Sequence, residues 1–343
     1  MNNSSVSEKK QVHNPKNFVI VVILLMILLG VCIVASIVFG SRMIGWSELM
    51  NGLFHSDVQS HEANVIRQRV ARTIFSLMCG AALGVSGALM QSVTRNPIAD
   101  PSILGVNTGA SLFVVCGIAF FNISSANEYI WLALAGAIVT AIFVFGIGSI
   151  GGSATPLKLV LAGAATSAIL SSLTVAVMIP RTNVMDQFRF WQVGSVGSGG
   201  WDTISLFIPF LIVGLLLAIF TAPALNALAL GDEVATGLGV RTGTIRLFAA
   251  LGGVLLCGAA TALAGPIGFI GLAATHLIRL VIGPDLRYII PMSALSGAII
   301  LTISDVCGRL LGSPGELEVG IVTAFVGAPI LILITMKAKM RAL

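Results

Sequence analysis

Apolar residues run along this chain in long blocks that contain no charge. Nine such stretches, 18–41, 73–94, 101–127, 129–157, 159–180, 203–231, 247–276, 288–304 and 319–336, are separated by connections that carry the charge. Each approaches or exceeds the roughly 20 residues that a helix needs to cross a bilayer core. Stretch 247–276 is interrupted at Ala264-Gly265-Pro266, where a regular helix stops, and is read as two spans. The pattern predicts an all-α, polytopic membrane protein of about ten transmembrane helices.

The most informative connection is 95–109, RNPIADPSILGVNTG. Each of its first two prolines lacks an N–H donor and restricts the residue before it, so the helix ends here. Arg95 and Asp100 are costly in lipid, which puts the turn at a membrane surface.

Composition agrees: 56% of the residues are hydrophobic and 10% charged, against roughly 25% charged in soluble domains. Residues 1–17 are polar, with Lys9, Lys10 and Lys16, and read as a cytoplasmic N-terminal tail. The apolar run that follows is too long for a signal-peptide core and no small-residue cleavage site closes it. Residues 18–343 are therefore expected to form a single transmembrane domain. With the tail inside, Arg95, Lys158, Arg241, Arg246, Arg279, Arg287 and the basic residues of both termini fall inside, and Arg42, Arg67, Arg69, Arg72, Arg181, Arg189 and Arg309 outside. That inner excess satisfies the positive-inside rule, so both termini are expected in the cytoplasm. The net charge of +5 reflects this asymmetry and implies no nucleic-acid partner. The five cysteines lie in apolar segments without a Cys-x-x-Cys pair, as packing residues do, and indicate neither a metal site nor a disulfide framework.

A short internal echo is present. CGAA at 79–82, followed by Gly87, recurs at 257–260, followed by Gly265. In the predicted topology these are spans two and seven, which run in opposite directions, so an inverted repeat of spans 2–5 and 7–10 is expected. Close packing of small residues produces similar motifs by chance.

Few groups inside the membrane can do chemistry. Asp305 is the one acid deep within a span, and Arg309 four residues later is its expected ion-pair partner. That leaves little buried charge for an ion-coupled secondary transporter. His276 is assigned packing or capping, with a proton relay as the lesser alternative. Gly84-Val85-Ser86-Gly87 with His276 would also fit an intramembrane serine protease, but small-residue helix packing accounts for the motif without catalysis.

No lysine follows a glycine, so the phosphate-cradling P-loop is absent and any ATPase is a separate polypeptide. The contact for one is expected in residues 228–240, between spans six and seven. After Gly231, Asp232 and Glu233 favour the first turn of a short helix through its dipole, and Gly237 or Gly239 ends it. Leu230, Val234 and Leu238 fall four apart on one face, suited to an apolar groove in a partner. A bland surface helix would look similar.

The run 95–109, preceded by GAALGVSGALMQ at 80–91, resembles the iron-siderophore, haem and vitamin B12 family of ABC-transporter permeases, and most of all permeases for ferric enterobactin. The resemblance extends through FWQVGS at 190–195, AGPIGFIGL at 264–272, SDVCGR at 304–309, GEL at 315–317 and VTAFVGAP at 322–329. It implies a subunit of the bacterial cytoplasmic membrane, paired with a second permease subunit, different or identical. Two ABC ATPase subunits lie below and an extracytoplasmic substrate-binding protein delivers from above. The cargo it implies is a ferric siderophore, catecholate first, with haem or cobalamin as alternatives, and no cofactor, since the chelate carries the metal. It assigns 228–240 to ATPase coupling and Arg69, Arg72 and Arg309 to acidic residues of the binding protein. The family's Arg-x-Pro-Arg has Ala71 in place of its proline here, and snorkelling to lipid phosphate is the competing role. It places the cytoplasmic gate at Thr155-Pro156, where Pro156 also suits a plain helix start.

Overall fold

The computed structural model describes residues 15–40, 61–123, 125–151 and 155–341, and every regular element among them is helical. In chain order these are α1 (Pro15–Val38), α2 (His61–Thr94), a 3₁₀ turn (Pro101–Leu104), α3 (Val106–Phe121), α4 (Ala126–Gly148), α5 (Pro156–Met178) and α6 (Thr182–Gln192). There follow α7 (Trp201–Ala229), α8 (Asp232–Gly237), α9 (Thr242–Ala264), α10 (Ile270–Ile282), α11 (Leu286–Leu311) and α12 (Val319–Arg341). Helices are what apolar blocks must form in lipid, because only there does each backbone group find a partner within its own segment.

Each of the ten predicted spans contains a helix. Seven are long and apolar enough to cross a membrane; α3, α10 and the apolar part of α12 are shorter. Their ends carry local signals. Ser125 caps α4 in a capping box with Glu128, and the Asp285 carboxylate accepts from the Arg287 amide at the start of α11, 2.9 Å away. The break expected at Ala264-Gly265-Pro266 falls where α9 ends.

Two boundaries differ from expectation. Span two was expected from Thr73, but α2 begins at His61, because charged residues end a hydropathy stretch without ending a helix. Span three was expected from Pro101, but its first residues form the 3₁₀ turn, and α3 starts only after Gly105 takes a left-handed conformation, φ 72°. The helix α6 was not anticipated. The predicted tail 1–17 lies mostly outside the described residues.

The centre of the bundle is α2, α9 and α11, whose apolar windows are 78%, 72% and 72% buried, against 6% for α1. Glycines let α2 and α11 meet backbone to backbone. A Cβ on Gly84 would sit 2.1 Å from the carbonyl oxygen of Ser293, and one on Gly297 2.2 Å from that of Gly80. The two halves expected to repeat share a succession: a long helix, a proline-containing break, a short helix, then two more (α2–α5 and α9–α12).

Candidate functional site

Charge gathers at the two ends of α2. In its N-terminal third, Arg72 reaches the Asp305 carboxylate on α11, with Nη2 2.7 Å and Nε 3.1 Å from Oδ1, and donates Nη1 to Glu316 Oε2 at 2.7 Å. Arg309 closes the group from one turn further along α11, its Nη2 3.1 Å from Asp305 Oδ2. Asp305 and Arg309 are each 2% exposed. The pair expected from their spacing is therefore present, with Arg72 as a third member drawn from another helix. Two cations face two carboxylates, the arrangement that lets charge persist away from water.

Two arginines of this end also terminate α1. The last carbonyls of a helix have no partner in their own helix. Here Arg309 Nη1 donates to Ser36 O and Phe39 O, both at 2.9 Å, and Arg69 Nη1 to Ile37 O at 3.2 Å and Val38 O at 3.0 Å. A guanidinium suits this place because it brings several donors and complements the negative end of the helix dipole. Ser36 and Thr73 join their hydroxyls at 2.8 Å beneath it. Arg69, Arg72, Arg309 and Glu316 thus come together, lining with Gly197–Trp201 a cavity of about 660 Å³.

Arg72 and Arg95 are separated along α2 by about 34 Å at 1.5 Å per residue, close to the hydrocarbon thickness of a bilayer. Arg95 itself ends the helix in a left-handed conformation, φ 50°. Its guanidinium is donated to Leu228 O and to the Asp232 carboxylate, which Arg246 of α9 also contacts at 2.7 Å. Asp232 opens α8 after Gly231, φ 118°. Burial alone would raise the Asp232 carboxyl, but hydrogen bonds and charge from Arg246 and Arg95 hold it below its ordinary value.

These contacts fix the orientation of α8. Ala235 is buried against the bundle, while Leu230, Val234 and Leu238 are 67%, 49% and 65% exposed. Glu233 shares the first turn, and Gly239 adopts φ 83° as the chain leaves. The expected apolar row therefore faces outward, Val234 from α8 itself and Leu230 and Leu238 from just beyond its two ends, on a segment tied down by one carboxylate. The arginines that tie it were not identified beforehand; their positive-inside positions were the sole signal, with no indication of a common acid.

The other candidates lie apart. Thr155 is the N-cap of α5, its hydroxyl 3.5 Å from the Lys158 amide, with Pro156 in the first turn. Buried Ser86 donates its hydroxyl to Gly253 O at 2.6 Å, and a Cβ on Gly87 would meet the Gly271 backbone 2.4 Å away, so the Gly84–Gly87 motif is engaged in helix packing. No group of three His, Cys, Asp or Glu among the described residues could hold a metal ion.

Residues 26–337 match the model of the FecCD transport family. This chain belongs to the FecCD transport family. Within that family it is 41% identical over 316 residues to the ferric enterobactin transport system permease protein FepD of Escherichia coli K12, covering 91% of this chain and 94% of that protein. It is 40% identical over 287 residues to the Fe(3+)-citrate import system permease protein YfmD of Bacillus subtilis 168, covering 84% and 85%. Among solved structures, a metal-chelate type ABC transporter in an inward-facing conformation superposes with a TM-score of 0.80 at 25% identity, over 93% of this chain and 99% of that one. FecCD membership makes the chain a membrane transport permease of the cell membrane, and seven of its described helices are long and apolar enough to cross one.

Proposed function

We propose that this FecCD chain is the membrane-spanning subunit of an ABC importer that moves a ferric siderophore, of catecholate type first, inward across the cytoplasmic membrane. ATP hydrolysis comes from two separate ATPase subunits, a second permease subunit completes the pathway, and a binding protein delivers the chelate. The observation that carries the coupling is the exposed row Leu230, Val234 and Leu238 on and beside the short helix held by Asp232. The catecholate preference is supported by the 41% identity to FepD. On this reading 18–343 form one permease domain, both termini are cytoplasmic, and the end bearing α8 is the inner one.

The outer end then receives the binding protein. Arg72 and Glu316 form the accessible rim, and Arg69 and Arg309, turned toward the α1 carbonyls, hold the rim in shape and add positive field. Thr155 and Pro156 are proposed to lie at the cytoplasmic narrowing. Deletion of the gene under iron limitation should abolish uptake of one class of labelled ferric siderophore. Intact siderophore uptake with loss of haem or cobalamin uptake would reassign the cargo. Co-expressed with its ATPase, the chain should form a complex that Leu230→Asp or Val234→Asp disrupts by burying a charge in an apolar contact. Full assembly with both variants would remove the coupling assignment for 228–240.

A further inference from the structure

An apolar groove of about 840 Å³ opens between α1, α2, α7 and α11, lined by residues such as Leu77, Met78, Leu211, Leu215, Ile290 and Leu295. Its walls include Pro223 of α7 and Pro291 of α11, each of which removes a backbone donor from its helix. At one end the lining changes character. Leu286 belongs both to this groove and to a smaller cavity of about 220 Å³, lined also by Gln91, Ser92, Arg95, Asn226 and Arg279.

The small cavity is polar and positively charged. Gln91 is 3% exposed, and neither atom of its amide has a protein hydrogen-bond partner. The buried Nε of Arg279 has none either. Arg287, exposed, lies on the groove lining beside Leu286, and no acid among the described residues pairs with it or with Arg279. Asp285, the nearest acid in sequence, is committed to Asn226 and to the Arg287 amide. A half-buried guanidinium and a buried amide without partners are expensive unless an anion with several acceptor oxygens completes them. The groove that leads away from them is hydrocarbon-like along its length.

We infer that this groove and cavity form a binding site for one anionic glycerophospholipid, its acyl chain lying in the groove and its phosphate meeting Arg279, Arg287 and the Gln91 amide. Charge complementarity selects an anionic lipid over a zwitterionic one, whose own ammonium would face the two arginines. The leaflet is the one on the α8 side, because Arg95 lines the cavity and holds Asp232; it is the cytoplasmic leaflet on the reading proposed above. Occupancy would brace the ends of α2, α7 and α10 beside the coupling segment.

The full chain, purified in mild detergent, is titrated with phosphatidylglycerol or phosphatidylcholine and followed by native mass spectrometry and thermal melting, with inorganic phosphate as a third arm. Phosphatidylglycerol is expected to be retained one per chain and to raise the melting temperature, with little effect from phosphatidylcholine or phosphate. Arg287→Gln, at an exposed position, should weaken retention about fivefold, equivalent to about 1 kcal/mol per cation near an anionic lipid surface. Arg279→Gln should weaken it further, and Ala294→Phe, which fills the groove, should reduce retention without removing charge. Equal retention of both lipids, or selectivity unchanged in Arg287→Gln and Arg279→Gln, would overturn the site and leave a hydrated cavity beside ordinary lipid contact. Stabilisation by phosphate alone would overturn the lipid in favour of a free oxyanion. None of these readouts involves transport, so they stand or fall apart from the cargo.

Discussion

The two ends of α2 handle charge in opposite ways. At the end near Arg72, Arg72 and Arg309 meet Asp305 and Glu316, and Arg69 and Arg309 donate to the open carbonyls of α1, so most of the charge there is matched within the protein, with the Arg309 Nε left over. At the end near Arg95, one carboxylate serves two arginines, further cations stand without an acid, and an apolar row points away from the bundle. The first arrangement welds helices together. The second leaves both charge and apolar surface unsatisfied, which is what a surface awaiting other molecules requires.

Removing the acid at the closed end should have the largest effect. Asp305→Ala leaves Arg72 and Arg309 facing each other away from water and should cost about 3–5 kcal/mol, seen as a large fall in melting temperature in detergent. A change within experimental error would mean that the group is more hydrated than its 2% exposure implies.

Asp232→Asn, at the open end, should cost only about 1 kcal/mol of stability, because Asp232 is 45% exposed. It should nevertheless impair assembly with the ATPase, since α8 loses its tie. The pH dependence follows from the sign of the shift. A carboxyl held below its ordinary value contributes stability above about pH 4 and loses it as pH falls through its folded value. Complex assembly should therefore be flat from neutral pH down to about 5; weakening between pH 7 and 6 would assign the tie to another group.

Much of the fold was legible because lipid leaves a polypeptide few choices. What escaped were features that hydropathy does not register: the charged first turns of α2, and α6, whose polar residues adjoin a span. At the candidate sites, legibility followed distance in sequence. Asp305 and Arg309 lie one helical turn apart and could be paired in advance. Arg72 is 233 residues from Asp305, and nothing in the sequence marks them as neighbours. The outward row around α8 was readable from its spacing, but the pinning by Arg95 and Arg246 was not, since it depends on where α2 ends and α9 begins.

The smallest expected effects refine the contrast. Glu316→Gln breaks one contact on a side chain 41% exposed and should cost about 0.5 kcal/mol. Raising salt should loosen the exposed Asp232 contacts more than the buried Asp305 group, because screening acts through solvent. Equal sensitivity at the two ends would erase the distinction between a closed cluster and an open one.

The bare-backbone contact of Gly80 and Gly84 with Gly297 and Ser293 bears on motion. Two rods in van der Waals contact along their main chains cannot slide or part without opening a void that no side chain can fill. On the importer reading proposed above, α2 and α11 should therefore travel as one rigid keel, with opening and closing at looser seams around it. Spin labels placed on these two helices should keep one fixed separation through the ATP cycle, while a label pair between α2 and α5 should report two.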